Sequence, residues 1–152
     1  MTKVEYEFET IKHIETVRKY LNICMVELIK RGDEHDELKL KSPESEIFIE
    51  YTSKLAESEY GSEEYKKNLE QMKKALDHHY ENYRHHPEHF ENGINDMNLI
   101  DLIEMFCDWK AATLRHENGN ILKSIEINSK RFKYDEQLKQ IFINTAKLFE
   151  NK

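Results

Sequence analysis

Residues 78–89 read His78-His79-Tyr80-Glu81-Asn82-Tyr83-Arg84-His85-His86-Pro87-Glu88-His89, and this stretch holds five of the chain's eight histidines. Upstream of it, Tyr65, Leu69, Met72, Leu76, His79 and Tyr83 recur at steps of four, three, four, three and four. That spacing predicts one inward stripe of a helix, with His79 inside it. His86 continues the same phase seven residues on. Two histidines thus stand where leucines are expected. A plainer reading is a core histidine bonded to a carbonyl, or a solvated histidine-rich tract. The inward phase and the partners found elsewhere in the chain favour a metal or catalytic centre.

Working outward, composition sets the class. Charged residues make up 35% and apolar ones 38% of 152 residues, with four glycines and two prolines. Few breakers and many Glu, Lys, Leu and Ile favour helix, and the length suits one domain with its own core. No apolar run reaches membrane-spanning length, and the N-terminus has no signal-peptide apolar core, so the expected location is cytoplasmic. Cys24 and Cys107 read as small core residues in a reducing compartment. A net charge of −7 argues against a large basic footprint for duplex nucleic acid, but not against a small phosphorylated ligand.

The helices follow from periodicity and punctuation. Residues 4–30 read as a long amphipathic helix with the stripe Ile14, Val17, Leu21, Cys24 and Leu28, and with His13 on its flank. Gly32-Asp33 is expected to end it. Ser42-Pro43-Glu44 reads as a helix start with Ser42 as cap, followed by the inner face Ile47, Tyr51 and Leu55. Tyr60-Gly61-Ser62-Glu63-Glu64 is the next break and opens the His79 helix. Pro87 disfavours helix at His86, and 87–97 is a loop. A helix over 98–116 carries Asp101, Glu104 and Asp108 on one face, and Asp108 is its best candidate for an inward carboxylate. After the turn Asn118-Gly119-Asn120, two scaffold helices follow, broken near Asp135.

In chain order the candidates are His13, His35-Asp36, His79, His86 and Asp108. Neutral imidazoles with carboxylates suit Zn, Mn, Fe, Co or Ni better than Ca. Four of these ligands suffice for one ion, and adding His79 and His86 makes enough for two.

This order resembles the HD superfamily of metal-dependent phosphohydrolases, whose pattern is a histidine, a His-Asp dipeptide and a distant aspartate on a helical bundle. His13, His35, Asp36 and Asp108 match it, and His35-Asp36-Glu37-Leu38-Lys39 is similar to its HD-x-x-K form. The resemblance implies a single all-α, HD-like bundle of about six helices over 1–152. It also implies a place for Lys39 beside the substrate phosphate or the metal, and extra metal histidines at His79 and His86. The cyclic-dinucleotide phosphodiesterase signature Gly-Tyr-Pro is absent. The two extra histidines are seven residues apart, which leaves a second metal, and the choice between His85 and His86, open. The stretches around Tyr60-Gly61-Ser62, Asn82–His89 and Asp108-Trp109 also resemble an uncharacterised family of small bacterial and phage proteins.

The expected chemistry is hydrolysis of a small phosphorylated substrate, a nucleotide by analogy, through metal-activated water. Lys39 and Arg84 are the candidates to neutralise phosphate oxygens, and Glu37 to orient the water. Two alternatives stand beside it. One is a di-iron oxygenase of the myo-inositol oxygenase branch, which orders its ligands as this chain does. The other is a non-catalytic protein in which metal only holds helices. A homo-oligomer is left open.

Overall fold

The computed structural model describes residues 1–58, 62–115 and 119–150. Tyr60 and Gly61 of the second expected break, and His116 and Asn118 of the expected helix end and turn, lie outside them. Among the described residues there are six α-helices and no strand, so the chain is all-α. None of these helices is long and apolar enough to cross a membrane. The chain divides into two compact units, Met1–His35 and Asp36–Lys152.

The first unit is one helix, α1 (Lys3–Glu34). Thr2 caps it reciprocally: its hydroxyl accepts from the Glu5 amide at 3.3 Å, and the Glu5 carboxylate accepts from the Thr2 amide at 2.7 Å. The helix runs through Gly32, its expected stop, to a C-cap at His35. A glycine ends a helix by adopting the left-handed conformation. Here the left-handed residue is Asp36, at φ 56° and ψ 13°. No residue of α1 is buried, and Cys24 is exposed rather than a core residue.

The second unit opens with a 3-10 turn, Glu37–Leu40. Then come α2 (Glu44–Glu57) and α3 (Glu63–Asn82), which pack on each other. Ser42 does not cap α2. Pro43 holds the N-cap position, the first-turn amide of Ser45 donates to the Lys41 carbonyl at 2.9 Å, and the Ser42 hydroxyl bonds the Glu46 side chain instead. In α3 the buried residues are Asn68, Ala75 and His79, while Leu69 is 45% exposed. The inner line is therefore rotated by about 60° from the expected stripe, with His79 on both. The small Ala75 and the hydrogen-bonded Asn68, whose amide donates to Ser58 Oγ at 3.1 Å, lie on that line.

The expected loop forms two 3-10 turns, Pro87–His89 and Gly93–Asp96. Gly93 sits at φ +58°, a conformation that side chains rarely adopt. The unit closes with α4 (Leu99–Thr113), α5 (Ile121–Phe132) and α6 (Glu136–Ala146). Asp135 caps α6 by accepting from the Leu138 amide at 2.9 Å, which is the break the sequence indicates there. Met105 and Phe106 of α4, Ile121 and Ile125 of α5, and Phe142 and Ala146 of α6 form the apolar core. Phe106 stacks on Phe142 with ring centroids 5.5 Å apart. Cys107 lies two residues from Met105, about 200° around α4, and is exposed. Ile125 is completely buried, so Ile125→Ala is expected to destabilise this unit by about 3 kcal/mol, read by chemical denaturation.

Candidate metal centre

Four side chains of the second unit converge: Asp36, His79, His85 and His86 each offer a ligand atom within 4.8 Å of the others. Their positions come from three local devices. Asp36 takes the left-handed conformation ahead of the 3-10 turn, which aspartate tolerates better than most residues at a cost of about 1 kcal/mol. Its Oδ2 is held by Lys39 Nζ at 2.6 Å, which fixes the carboxylate and leaves Oδ1 toward the histidines. The Leu38 amide donates to Tyr83 Oη at 2.7 Å and pins this turn to the end of α3.

His79 sits in the last turn of α3, and there the helix ends. His86 does not reach the centre by continuing the helical phase. Pro87 disfavours helix at the preceding residue, the backbone at His86 is extended (φ −104°, ψ 125°), and the turn carries His85 and His86 back over the helix end. The His85 and His86 rings lie 4.1 Å apart and the His79 and His86 rings 4.9 Å apart, centroid to centroid.

The second ring nitrogens decide what the centre can do. His79 Nδ1 lies 2.9 Å from Oε2 of Glu44, and His78 Nδ1 lies 2.8 Å from its Oε1. Glu44 is fully buried. His85 Nδ1 lies 2.9 Å from Oε1 of the buried Glu104. A carboxylate accepts, so His78 and His79 donate their Nδ1–H to Glu44 and His79 turns Nε2 inward, while His85 Nδ1 stands at ion-pair distance from Glu104. His79 Nε2 is then 3.1 Å from Asp36 Oδ1 and 3.0 Å from His86 Nε2, and His85 Nε2 is 3.6 Å from the same Oδ1. Imidazole nitrogens and a carboxylate oxygen at such separations need a proton or a cation between them. Bonds of about 2.1 Å to a tetrahedral zinc place donors roughly 3.4 Å apart, which matches these distances. Histidine ligands whose outer N–H is held by a carboxylate are the usual supporting arrangement of a metal site. The donor set therefore fits a transition ion. Burial, and then the neighbouring His85 and His79, push the His86 imidazole down to about 3, so it is neutral and able to ligate across the ordinary pH range.

Of the other expected residues, Asp108 offers a carboxylate oxygen within 4.8 Å of a His85 ring nitrogen. Its charge partly offsets the depression at His86. It is only half-buried, whereas Asp101 and Glu104 on the same face are buried. His13 lies exposed in α1, and His35 caps that helix. Glu37 pairs with Lys41 at 2.5 Å on the surface. Arg84 grips the fully buried Asp101 through Nε at 3.1 Å and a terminal nitrogen at 2.8 Å, with its guanidinium over the Phe90 ring. Arg84→Ala is expected to cost about 2 kcal/mol, less than a fully buried pair because the arginine is partly exposed; thermal unfolding checks this.

Glu44 and Glu104 are not legible in the sequence as partners of this centre. Glu44 is already explained by its place in the first turn of α2, and Glu104 by an acidic helix edge. His89, the fifth histidine of the stretch, bonds the Tyr80 carbonyl at 2.8 Å, as a plain structural histidine does.

No curated protein and no solved structure matches this chain. A family model described as family of unknown function (DUF5662) matches residues 2–151, in keeping with the resemblance to an uncharacterised family, and the chain belongs to that family.

Proposed function

We propose that Asp36, His79, His85 and His86 hold one divalent transition ion (Mn, Co, Ni, Fe or Zn), and that the protein is a metal-dependent phosphohydrolase acting on a small phosphorylated molecule, a nucleotide by analogy. The observation that carries this reading is the approach of the Nε2 atoms of His79 and His85 to Asp36 Oδ1 at 3.1 and 3.6 Å, with the buried Glu44 bonded to the other ring nitrogen of His79 and the buried Glu104 2.9 Å from that of His85. Such an ion, when bound, makes water acidic enough to supply hydroxide near neutrality and withdraws charge from a phosphoryl oxygen. Lys39 fixes Asp36 and keeps its ammonium partly exposed, so it is the cation we place against a substrate phosphate. Arg84 is committed to Asp101 and Glu37 to Lys41, so we assign them support rather than a role at the phosphate. The order of His35-Asp36-Glu37-Leu38-Lys39 and its likeness to the HD-x-x-K motif support the reaction class by analogy.

The test is elemental analysis of the purified protein, then phosphate or nucleoside release from a panel of phosphorylated metabolites with each metal, beside an Asp36→Asn control. Release that needs metal and vanishes in the control is expected. No release, with oxygen consumed by the iron-loaded protein, would replace the hydrolase reading with the oxygenase one. A protein that binds no ion would defeat both.

A further inference from the structure

Four protein donors close a four-coordinate ion, whereas a hydrolytic centre keeps one position open for water, usually beside three protein ligands. The cluster of Asp36, His79, His85 and His86 therefore has one donor too many for the reaction proposed above. The supports of the four side chains differ, and they single out one. Asp36 is fixed through Oδ2 by Lys39 Nζ at 2.6 Å. His79 stands in the last turn of α3, with its Nδ1 2.9 Å from the buried Glu44. His85 has the Glu104 carboxylate 2.9 Å from its Nδ1. His86 has no such support. Its Nε2 faces His79 Nε2 at 3.0 Å, and among the described residues no carboxylate holds its Nδ1. Its backbone is lightly held as well. It lies between the end of α3 and Pro87 in an extended conformation, and its amide donates to the Tyr83 carbonyl at 3.4 Å, the long end of the hydrogen-bond range. Loss of an outer partner lowers metal affinity by about 10–100-fold, so the ligand that has none is the weakest of the set.

We infer that His86 is the exchangeable ligand of this centre: Asp36, His79 and His85 hold the ion, and His86 gives up its place to water or to a phosphoryl oxygen of the substrate. The inference rests on the metal centre proposed above and adds the way a substrate enters it. It also gives the two neighbouring histidines of the turn different tasks. His85 stays beside Glu104, and His86, one residue nearer Pro87, is the one free to swing away.

The probe is inorganic phosphate added to the full chain loaded with Co(II). That ion moves the ring signals of coordinated imidazoles far outside the ordinary proton range, so NMR counts the ligating histidines one by one. Three shifted imidazoles are expected without phosphate and two at high phosphate, and the one that leaves is the one missing from His86→Ala. His86→Ala is expected to keep Zn within about 10-fold of the unaltered affinity, against a loss of more than about 100-fold in Asp36→Asn. It is also expected to bind phosphate at least about 10-fold more tightly, because the unaltered chain offers the open position for only part of the time. His86→Gln takes the place of alanine if the melting temperature shows that His86→Ala does not fold. Three imidazoles still shifted at high phosphate, loss of His79 or His85 in place of His86, or Zn held no better by His86→Ala than by Asp36→Asn would each overturn the inference and leave the metal centre standing. An unaltered chain that takes up neither Co(II) nor Zn would defeat the metal centre itself, and the inference with it.

Discussion

The Asp36→Asn protein is expected to bind Zn or Mn more than about 100-fold more weakly than the unaltered chain, beyond the 10–100-fold that outer supports of a metal site usually carry. Asp36 is the one anionic member of the four-residue cluster, and its Oδ1 lies within 3.1 Å of His79 and 3.6 Å of His85. Asparagine is the informative replacement. It tolerates the left-handed backbone at φ 56° as aspartate does, so the turn survives while the charge is lost. Alanine at this position adds backbone strain and confuses the two effects. Titration calorimetry with metal-free protein, together with metal content after dialysis, measures the change. Unaltered affinity in the asparagine variant would remove Asp36 from the centre and with it the proposed water-activating role.

His79→Leu is expected to destabilise the second unit by about 3 kcal/mol, roughly 10–15 °C in melting temperature, as well as abolish ion binding. The sign differs from what the sequence suggests. On periodicity alone, leucine at 79 removes a polar group from an apolar stripe, and stability should hold or rise. The structure reverses this, because Glu44 is fully buried and His79 is one of the two imidazoles that satisfy it. Removing one partner leaves a buried carboxylate short of a donor, and that is the costly half of any buried polar pair. The ring also packs 4.6 Å from Tyr83, which in turn holds the Leu38 amide, so the loss extends to the Asp36 turn. Denaturant unfolding of metal-free protein isolates this term from ion binding. An unchanged midpoint would mean that His78 alone satisfies Glu44. Glu44→Gln complements the test, since it replaces one of the two accepting oxygens with an NH2 donor that faces an imidazole N–H, and ion affinity should fall by about 10–100-fold.

Much of this molecule is legible without coordinates. The scarcity of glycine and proline, the 3.6-residue periodicity, the helix start at Ser62, the turn at Asn120 and the break near Asp135 are local properties. They predict an all-helical chain, and the breaks fall near where the helices end. His79 is marked by its place on an inward stripe, which is again a local regularity, although the true inner line lies about 60° round the helix. His85 and His86 cannot be separated from sequence, because their positions depend on a turn after the helix end rather than on helical phase. Asp36 can be nominated from its dipeptide, but its backbone conformation cannot. Glu44 and Glu104 are out of reach, since they meet the histidines across 34 or 35 and 19 residues of chain, and no spacing rule spans two packed helices. The sequence by itself therefore determined the helices and the residue types available for metal chemistry. Only the tertiary structure decided which imidazoles face Asp36 and which nitrogen each presents, because a ring's inward nitrogen is set by whatever buried carboxylate takes the other one.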